Sequence, residues 1–326
     1  MGQKIQKYYI GVDIGGTKIV IALIDINGNV LFKKILSTEL NLNKNVVIRN
    51  ISEIIDEIKI IYKDINIIGI GIGSAGIVLY NKGIIKFSPN IGWRDFYIVS
   101  QLQKISKMRV VLDNDANAAA WGIFYLKYKS KYNNMLCVTL GTGVGGGFIL
   151  NGKMFRGIDG TAGEIGHMTY IPDGLECPCG NKGCLERYVG KYGLNMLIDR
   201  HLKEEAQKSN LAKKSLLLDY KKENVIVDPK LLEAAAEKGD ELALKIWIEF
   251  GEILGTAFAT ILNLLNLEAI HITGGIAHAQ KFFEKALVDT IKRRAFSVPA
   301  ETVKLIFEEK KQDMGVIGAG LLLEEL

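Results

Sequence analysis

Between Glu164 and Glu186, in the run EIGHMTYIPDGLECPCGNKGCLE, stand three of the chain's four cysteines and one of its four histidines. Cys177, Cys179 and Cys184 follow His167, the nearest of them ten residues on. One imidazole and three thiolates make a complete tetrahedral zinc set, with sulfur at about 2.3 Å and nitrogen at about 2.0–2.1 Å. A closed set has no position for water, so such an ion would be structural: it would hold the loop in shape and take no part in a reaction. Gly180 and Gly183, between the cysteines, allow the tight turns that this convergence needs. The alternative is an ordinary turn with free thiols, and the ligand spacing favours the metal.

A length of 326 residues and 48% apolar content allow a large core and favour two domains over one. No uninterrupted apolar run reaches the roughly 18 residues of a membrane span, and the start MGQKIQKYY enters a strand pattern without a signal-peptide core. A soluble protein of the cytoplasm with no membrane partner is expected. The cysteines do not form a secreted disulfide framework, and Cys137, alone in an apolar strand pattern, reads as inert core. The net charge of +5 is spread among 36 acids, and the densest basic clusters, Lys127 to Lys131 and Lys292 to Arg294, are short. They fall at a helix end or on a helix face, where cations are favoured, so they read as solvated surface and not as a nucleic-acid site.

Tyr8 to Asp13, Ile19 to Asp25 and Val30 to Ser37 are β-rich runs broken by Gly15-Gly16 and by the hairpin signal Asn27-Gly28. Val46 to Tyr62 has helical apolar spacing, and Ile67 to Ser74 suits a buried central strand, which gives β-β-β-α-β. Met135 to Leu140 and Gly145 to Leu150 are strands joined by a glycine turn, and Ala269 to Thr273 is a later apolar strand ending in Gly-Gly. Helices are expected over Ala116 to Tyr128, Gly190 to Lys208, Pro229 to Lys238 and Glu241 to Leu265. In the last of these Gly251 and Gly255 read as close helix packing. The C-terminal run MGVIGAGLLLEE reads as a small-residue helix lying on a sheet.

Two glycine hairpins suit phosphate. In Asp13-Ile14-Gly15-Gly16-Thr17-Lys18 the glycines leave backbone N–H groups open, Thr17 adds a hydroxyl and Lys18 a charge, while Asp13 would stand near magnesium. Alone it could be a tight turn; its weight comes from Gly141-Thr142-Gly143-Val144-Gly145-Gly146-Gly147, where five glycines in seven residues give up backbone entropy with no packing in return. The alternative there is a glycine-tolerant bulge or hairpin. Thr273-Gly274-Gly275 would be a third approach, to the nucleoside. In Leu112-Asp113-Asn114-Asp115-Ala116-Asn117 a strand hands over to an alanine-rich helix. One acid is expected to cap that helix and the other to be free as a general base.

Taken together DIGGTK, GIGSAG, SPNIGW, NDANAAA, GTGVGGG, EIGHM and CPCGNKGCLE resemble the ROK family of repressors and kinases, its glucokinase type among the actin-like sugar kinases. The resemblance implies an α/β, two-lobed actin-like ATPase (ribonuclease H-like) fold with mixed sheets flanked by helices and a structural zinc loop. Residues 1–115 with the C-terminal helix 314–326 would form the smaller lobe and 116–313 the larger, around a cleft taking ATP with Mg2+ and a sugar. It implies Asp115 as the base and Asn114, Glu164, His167 and Glu186 as sugar ligands, with Gly76 and Asn90 more weakly. Asp13, Gly15, Gly16, Thr17, Lys18, Thr142, Gly143 and Gly275 would serve the nucleotide. His167 would bind zinc through one ring nitrogen and a sugar hydroxyl through the other.

The reaction implied is transfer of the γ-phosphoryl of ATP to the 6-hydroxyl of glucose, in a homodimer or homotetramer. The alternatives are kinases for N-acetylmannosamine, N-acetylglucosamine, fructose, mannose or allose, and a non-catalytic sugar sensor or repressor. Repressors of the family carry a DNA-binding segment ahead of the kinase-like part; with Asp13 reached after a dozen residues, none is expected here.

Overall fold

A computed structural model describes residues 6–37, 43–89, 91–207, 215–308 and 313–326. The chain opens with β1 (Lys7–Ile14), β2 (Lys18–Asp25), β3 (Val30–Ser37), α1 (Lys44–Ile61) and β4 (Asn66–Ser74), the β-β-β-α-β order that the apolar pattern predicts. A small meander follows, β5 (Ile77–Leu79), β6 (Ile84–Ser88) and β7 (Trp93–Phe96), then α2 (Ile98–Ser106), β8 (Val110–Asn114) and α3 (Asp115–Ile123). β9 (Met135–Leu140) and β10 (Val144–Leu150) flank the second glycine turn, and β11 (Lys153–Phe155) returns on β10.

The cysteine segment leads into α4 (Glu186–Val189) and α5 (Lys191–Gln207), then α6 (Leu216–Lys222), α7 (Pro229–Glu237) and α8 (Glu241–Leu265). After β12 (Ala269–Thr273) come α9 (Gln280–Arg294), α10 (Ser297–Thr302), β13 (Lys304–Phe307) and α11 (Met314–Leu321). The helix expected from Ala116 to Tyr128 is α only as far as Ile123, and Phe124–Tyr128 is a π turn.

Contacts divide the chain into two compact units, Met1–Cys137 with Gly146–Gly163 and Gln312–Leu326, and Val138–Gly145 with Glu164–Lys311. Residues 116–137, expected in the larger lobe, fall in the first unit because α3 packs on α11 and β4. β9 and β10 each pass from one unit to the other, and they lie in the five-stranded order β11-β10-β9-β12-β13.

The first unit is built on the sheet β3-β2-β1-β4-β8. β1 is antiparallel to β2 and parallel to β4, and β4 is parallel to β8, so β1 and β4 are central and apolar along most of their length. Alternation separates the two faces. Ile10, Val12, Ile70 and Ile72 belong to a core with Val47, Ile51, Ile54, Ile55 and Ile58, the apolar stripe of α1 at spacings of three and four. Asn43 caps that helix, its side chain accepting from the amide of Asn45 at 2.9 Å.

The other face is bared to backbone. A Cβ on Gly11 would lie 2.0 Å from the Val316 carbonyl oxygen, and one on Gly71 would lie 1.8 Å from that of Ala319. The small-residue helix α11 therefore lies directly on β1 and β4. On its far side a Cβ on Gly318 would meet the Ala118 oxygen of α3 at 1.9 Å.

In the second unit α8 is the central helix. Asp240 caps it by accepting from the amides of Leu242 and Ala243, and Asn266 ends it in the left-handed region at φ 46°. By length and composition α8 could cross a membrane, but most of its apolar residues are buried within the unit. Gly251 and Gly255 carry out the predicted close packing: a Cβ on either would stand 2.5 Å or 2.7 Å from a carbonyl oxygen of α9, Phe283 or Leu287.

Candidate active site and metal centre

In the first unit, the end of β8 and the start of α3 present three polar side chains in different directions. The expected acid cap is corrected: Asn114 is the N-cap, its Oδ1 accepting from the amides of Ala116 at 2.8 Å and Asn117 at 3.3 Å. Asx residues of either kind cap equally well, and here Asp113 is committed elsewhere. Fully buried, Asp113 accepts from Arg156 Nε at 2.6 Å, from Asn117 Nδ2 at 2.9 Å and from the amide of Asn114 at 2.7 Å. Burial still pushes its carboxyl above the usual range, against the pull of Arg156. The same guanidinium holds Glu325 through both terminal nitrogens, at 2.9 and 2.5 Å.

Asp115, the first residue of α3, makes no ion pair among the described residues. Burial raises its carboxyl too, offset by the amide of Ala116, which donates to its Oδ1 at 3.0 Å. A carboxylate at a helix N-terminus with a raised pKa is a stronger base than a free one and still faces favourable dipoles.

Asn114 has a second role. Its Nδ2 donates to the Gly76 carbonyl at 3.2 Å, which brings two of the expected sugar residues together. Gly76 needs to be glycine: φ is 104°, and a Cβ would stand 2.4 Å from the Phe87 oxygen. Asn90 lies outside the described residues.

The first glycine turn joins β1 to β2, closed by the Gly15 amide donating to the Lys18 carbonyl at 2.9 Å, with Thr17 and Lys18 exposed and Gly16 half-buried. Asp13, just before it, is pushed up to about 6, first by burial and then by the charge of Asp115, with Lys18 pulling the other way. The two carboxylates thus feel each other. Asp13 and Asp115 offer carboxylate oxygens, the donor type that suits magnesium.

In the second unit, the Gly141 amide donates to the Gly143 carbonyl at 3.0 Å, and the Gly141 carbonyl accepts from the amide of Lys191 at 2.9 Å; Thr142 is exposed at the tip. The glycines of this run answer to different demands. A Cβ on Gly147, within the first unit, would strike Ala120 at 2.4 Å, and one on Gly143 would meet Glu186 Oε2 at 2.8 Å, whereas Gly141 has open space. Part of the run therefore serves packing. Gly274 likewise gives way to the Leu140 oxygen, 2.2 Å from where its Cβ would be, while Gly275 is open.

The cysteine loop folds as a small knot. Tyr170 and Gly183 donate to the carbonyls of Gly183 and Leu175 at 2.7 and 2.8 Å, Cys177 donates to Asn181 at 2.9 Å, and Gly180 returns to Cys177 at 3.0 Å. Gly180 and Gly183 take φ of 95° and 75°, the left-handed turns expected of them. Ligand atoms of His167, Cys177, Cys179 and Cys184 all lie within 4.8 Å of one another. The Sγ atoms of Cys179 and Cys184 are 3.6 Å apart, and His167 Nδ1 is 3.7 Å from Cys177 Sγ. Those are the edges of a tetrahedron about an ion with bonds near 2.3 Å, whose sulfur–sulfur edge is about 3.8 Å. The cluster can hold a metal ion, and Nδ1 is the nitrogen turned to it, with Nε2 on the far side of the ring.

Glu186 stands beside the cluster and outside the donor set, Oε1 being 3.5 Å from Cys177 Sγ and 3.9 Å from His167 Nδ1. Glu164, exposed, precedes the turn Ile165–His167 and accepts from the His167 amide through its carbonyl at 3.0 Å. Without the metal, burial above all pushes the Cys177 thiol up to about 12.

Arg156 and Glu325 are the residues that sequence reasoning missed. Nothing in the run FRG or in the terminal LLLEEL marks them, since their roles depend on partners 43 and 169 positions away.

The ROK family model matches residues 9–325. The glucokinase of Halalkalibacterium halodurans is 35% identical over 322 residues, 98% of this chain and 96% of its own. The xylose repressor of Caldicellulosiruptor bescii is 28% identical over 311 residues, 95% of this chain and 76% of that one. A ROK family glucokinase from Streptomyces griseus, solved in complex with glucose and AMPPNP, superposes with a TM-score of 0.75 at 29% identity, over 97% of this chain and 98% of that one. The α/β fold with mixed sheets is thus that of the actin-like sugar kinases. On this match over nearly its whole length, the chain belongs to the ROK family.

Proposed function

We propose that this chain is an ATP-dependent sugar kinase that transfers the γ-phosphoryl of ATP to the 6-hydroxyl of glucose in the cytoplasm. The observation that carries the reading is the division of labour at β8–α3: Arg156 occupies Asp113, Asn114 caps the helix, and among the described residues no cation pairs with the Asp115 carboxylate. Similarity to proteins named glucokinase supports glucose as the acceptor.

In the proposed step Asp115 accepts the proton of O6, the O6–phosphorus bond forms as the bond from γ-phosphorus to the bridging oxygen breaks, and ADP leaves with that electron pair. Phosphoryl transfer asks little covalent chemistry of a protein; it asks for position and for charge offset. The Gly15 to Lys18 turn and the Thr142 to Gly143 turn would supply N–H groups, a hydroxyl and the Lys18 ammonium to phosphate oxygens. Mg2+, held chiefly by Asp13, would neutralise phosphate charge when bound. Asn114, Glu164, His167 through Nε2 and Glu186, with Gly76 and Asn90, would fix the sugar, and Gly275 would face the nucleoside. Zn2+ on His167, Cys177, Cys179 and Cys184 would brace that wall.

A second reading, a sugar-responsive regulator, is favoured by the similarity to the xylose repressor. A coupled assay for ADP over glucose, mannose, fructose, allose, N-acetylglucosamine and N-acetylmannosamine tests both. Turnover is expected with glucose as the best acceptor; another sugar in first place corrects the substrate, and no ADP from any of them refutes the kinase.

A further inference from the structure

The cysteine loop and the second glycine turn are joined without an intervening side-chain layer. Gly166, one residue before the metal-facing His167, has its Cα so close to the turn that a Cβ would lie 2.2 Å from the Val144 oxygen. Just past the loop, a Cβ on Gly190 would lie 3.1 Å from the Thr142 oxygen and 3.4 Å from Gly143 Cα, and the next amide, of Lys191, donates to the Gly141 carbonyl at 2.9 Å. Between these two backbone contacts sits Glu186. One of its carboxylate oxygens is 3.5 Å from Cys177 Sγ, and the other would lie only 2.8 Å from a Cβ on Gly143. All of these residues belong to the second unit.

We infer that the cysteine loop and the turn Gly141 to Val144 are one binding element, so that filling the Cys–His set governs affinity for the nucleotide's phosphates and not only for the sugar. The inference rests on the proposed reading that this turn holds phosphates. A turn with bare backbone has almost no packing of its own and takes its shape from what it leans on. Here it leans on Gly166, Glu186 and Gly190, and those positions follow the loop that the four donors close. An unfilled set leaves the loop free to open, and the N–H groups of the turn then have to be ordered at the moment phosphate binds, which weakens binding. Glu186 is on this view a positioning residue for the turn, and Gly143 is glycine to make room for it.

The test measures binding of AMPPNP by calorimetry, with Mg2+ present, to the zinc-loaded protein and to protein stripped by chelation and dialysed. Metal removal is expected to raise the AMPPNP Kd about tenfold or more, with recovery on adding zinc. An unchanged Kd overturns the inference. Failure of the zinc-loaded protein to bind AMPPNP at all would instead refute the kinase reading.

Because stripping could unfold the loop outright, a zinc-loaded Gly143→Ala variant provides a second arm. Its clash is with the movable end of Glu186, so the fold should stand. Displaced Glu186 is expected to weaken both AMPPNP and glucose binding while metal content and melting temperature stay those of the parent. Parental affinity for both ligands overturns the inference. Hydrogen exchange supplies a third readout: the Lys191 amide should exchange faster in stripped protein while amides of the β1–β2 ladder do not, and equal protection in the two states overturns it.

Discussion

Arg156 Nε donates to Asp113 Oδ2 over 2.6 Å, with both side chains almost wholly out of water. The ion pair sits one residue from the cap of α3 and two from Asp115, so a charge from the loop after β11 sets the strand end from which the proposed base projects.

Replacing Arg156 with Met removes one member of this pair and strands the Asp113 charge. A buried charge left alone costs about 3–5 kcal/mol, so the midpoint of urea unfolding should fall sharply. Adding Asp113→Asn should recover a large part of the loss; if the double variant is no better than Arg156→Met, the pair is not the source.

Asp115→Asn keeps the shape of the helix start and removes the proton acceptor. Turnover with glucose should drop by about 10²–10⁴, while glucose affinity by calorimetry stays within a few-fold. Loss of affinity in step with turnover would show a binding role in place of a catalytic one.

Asp13 gives a stability signature in the ligand-free protein. Its carboxyl rises from an ordinary 3.8 to about 6 in the fold, so between those values the folded state holds more protons than the unfolded chain. Unfolding free energy therefore falls as pH rises through that window, and full stability from this group is present only below the lower value. Asp13→Asn removes the slope: relative to the parent, the variant should gain stability from pH 4 to pH 6. Urea midpoints across that range decide it, and a difference that does not vary with pH sinks the idea.

Gly71 and Gly141 should respond in opposite ways to alanine. At Gly71 the new Cβ lies 1.8 Å from the Ala319 oxygen, and backbone must move, at a cost of at least about 1–3 kcal/mol. At Gly141 nothing lies within 4 Å, so melting should be unchanged. Equal melting temperatures for the two variants would contradict the seat of α11 on the sheet.

The elements with a sustained period were legible before any coordinates: β1 to β4 and α1, whose stripe repeats at three and four, and α8, whose bounds match residue for residue. The meander β5 to β7 was not foreseen, because strands of three to five residues carry too few alternations to be told from loop. At the site, the knot was readable because its four donors fall within eighteen consecutive residues and its chemistry is specific. The choice of cap between Asp113, Asn114 and Asp115 is not, since Asp and Asn both cap well and the decision comes from Arg156. In sequence the glycine run 141–147 reads as one phosphate hairpin, whereas Gly147 answers to α3 and Gly143 to Glu186, demands visible only in three dimensions.

The placement of α11 also bears on how the molecule is made. A ribosome releases β1 and β4 early, but the helix that covers their glycine face begins at Met314, after Lys311, the last residue of the second unit. The unit begun first is thus completed last. Until α11 emerges, a nascent chain has to keep the bare backbone strip around Gly11 and Gly71 from meeting another strand, a hazard that falls on synthesis and disappears in the finished protein.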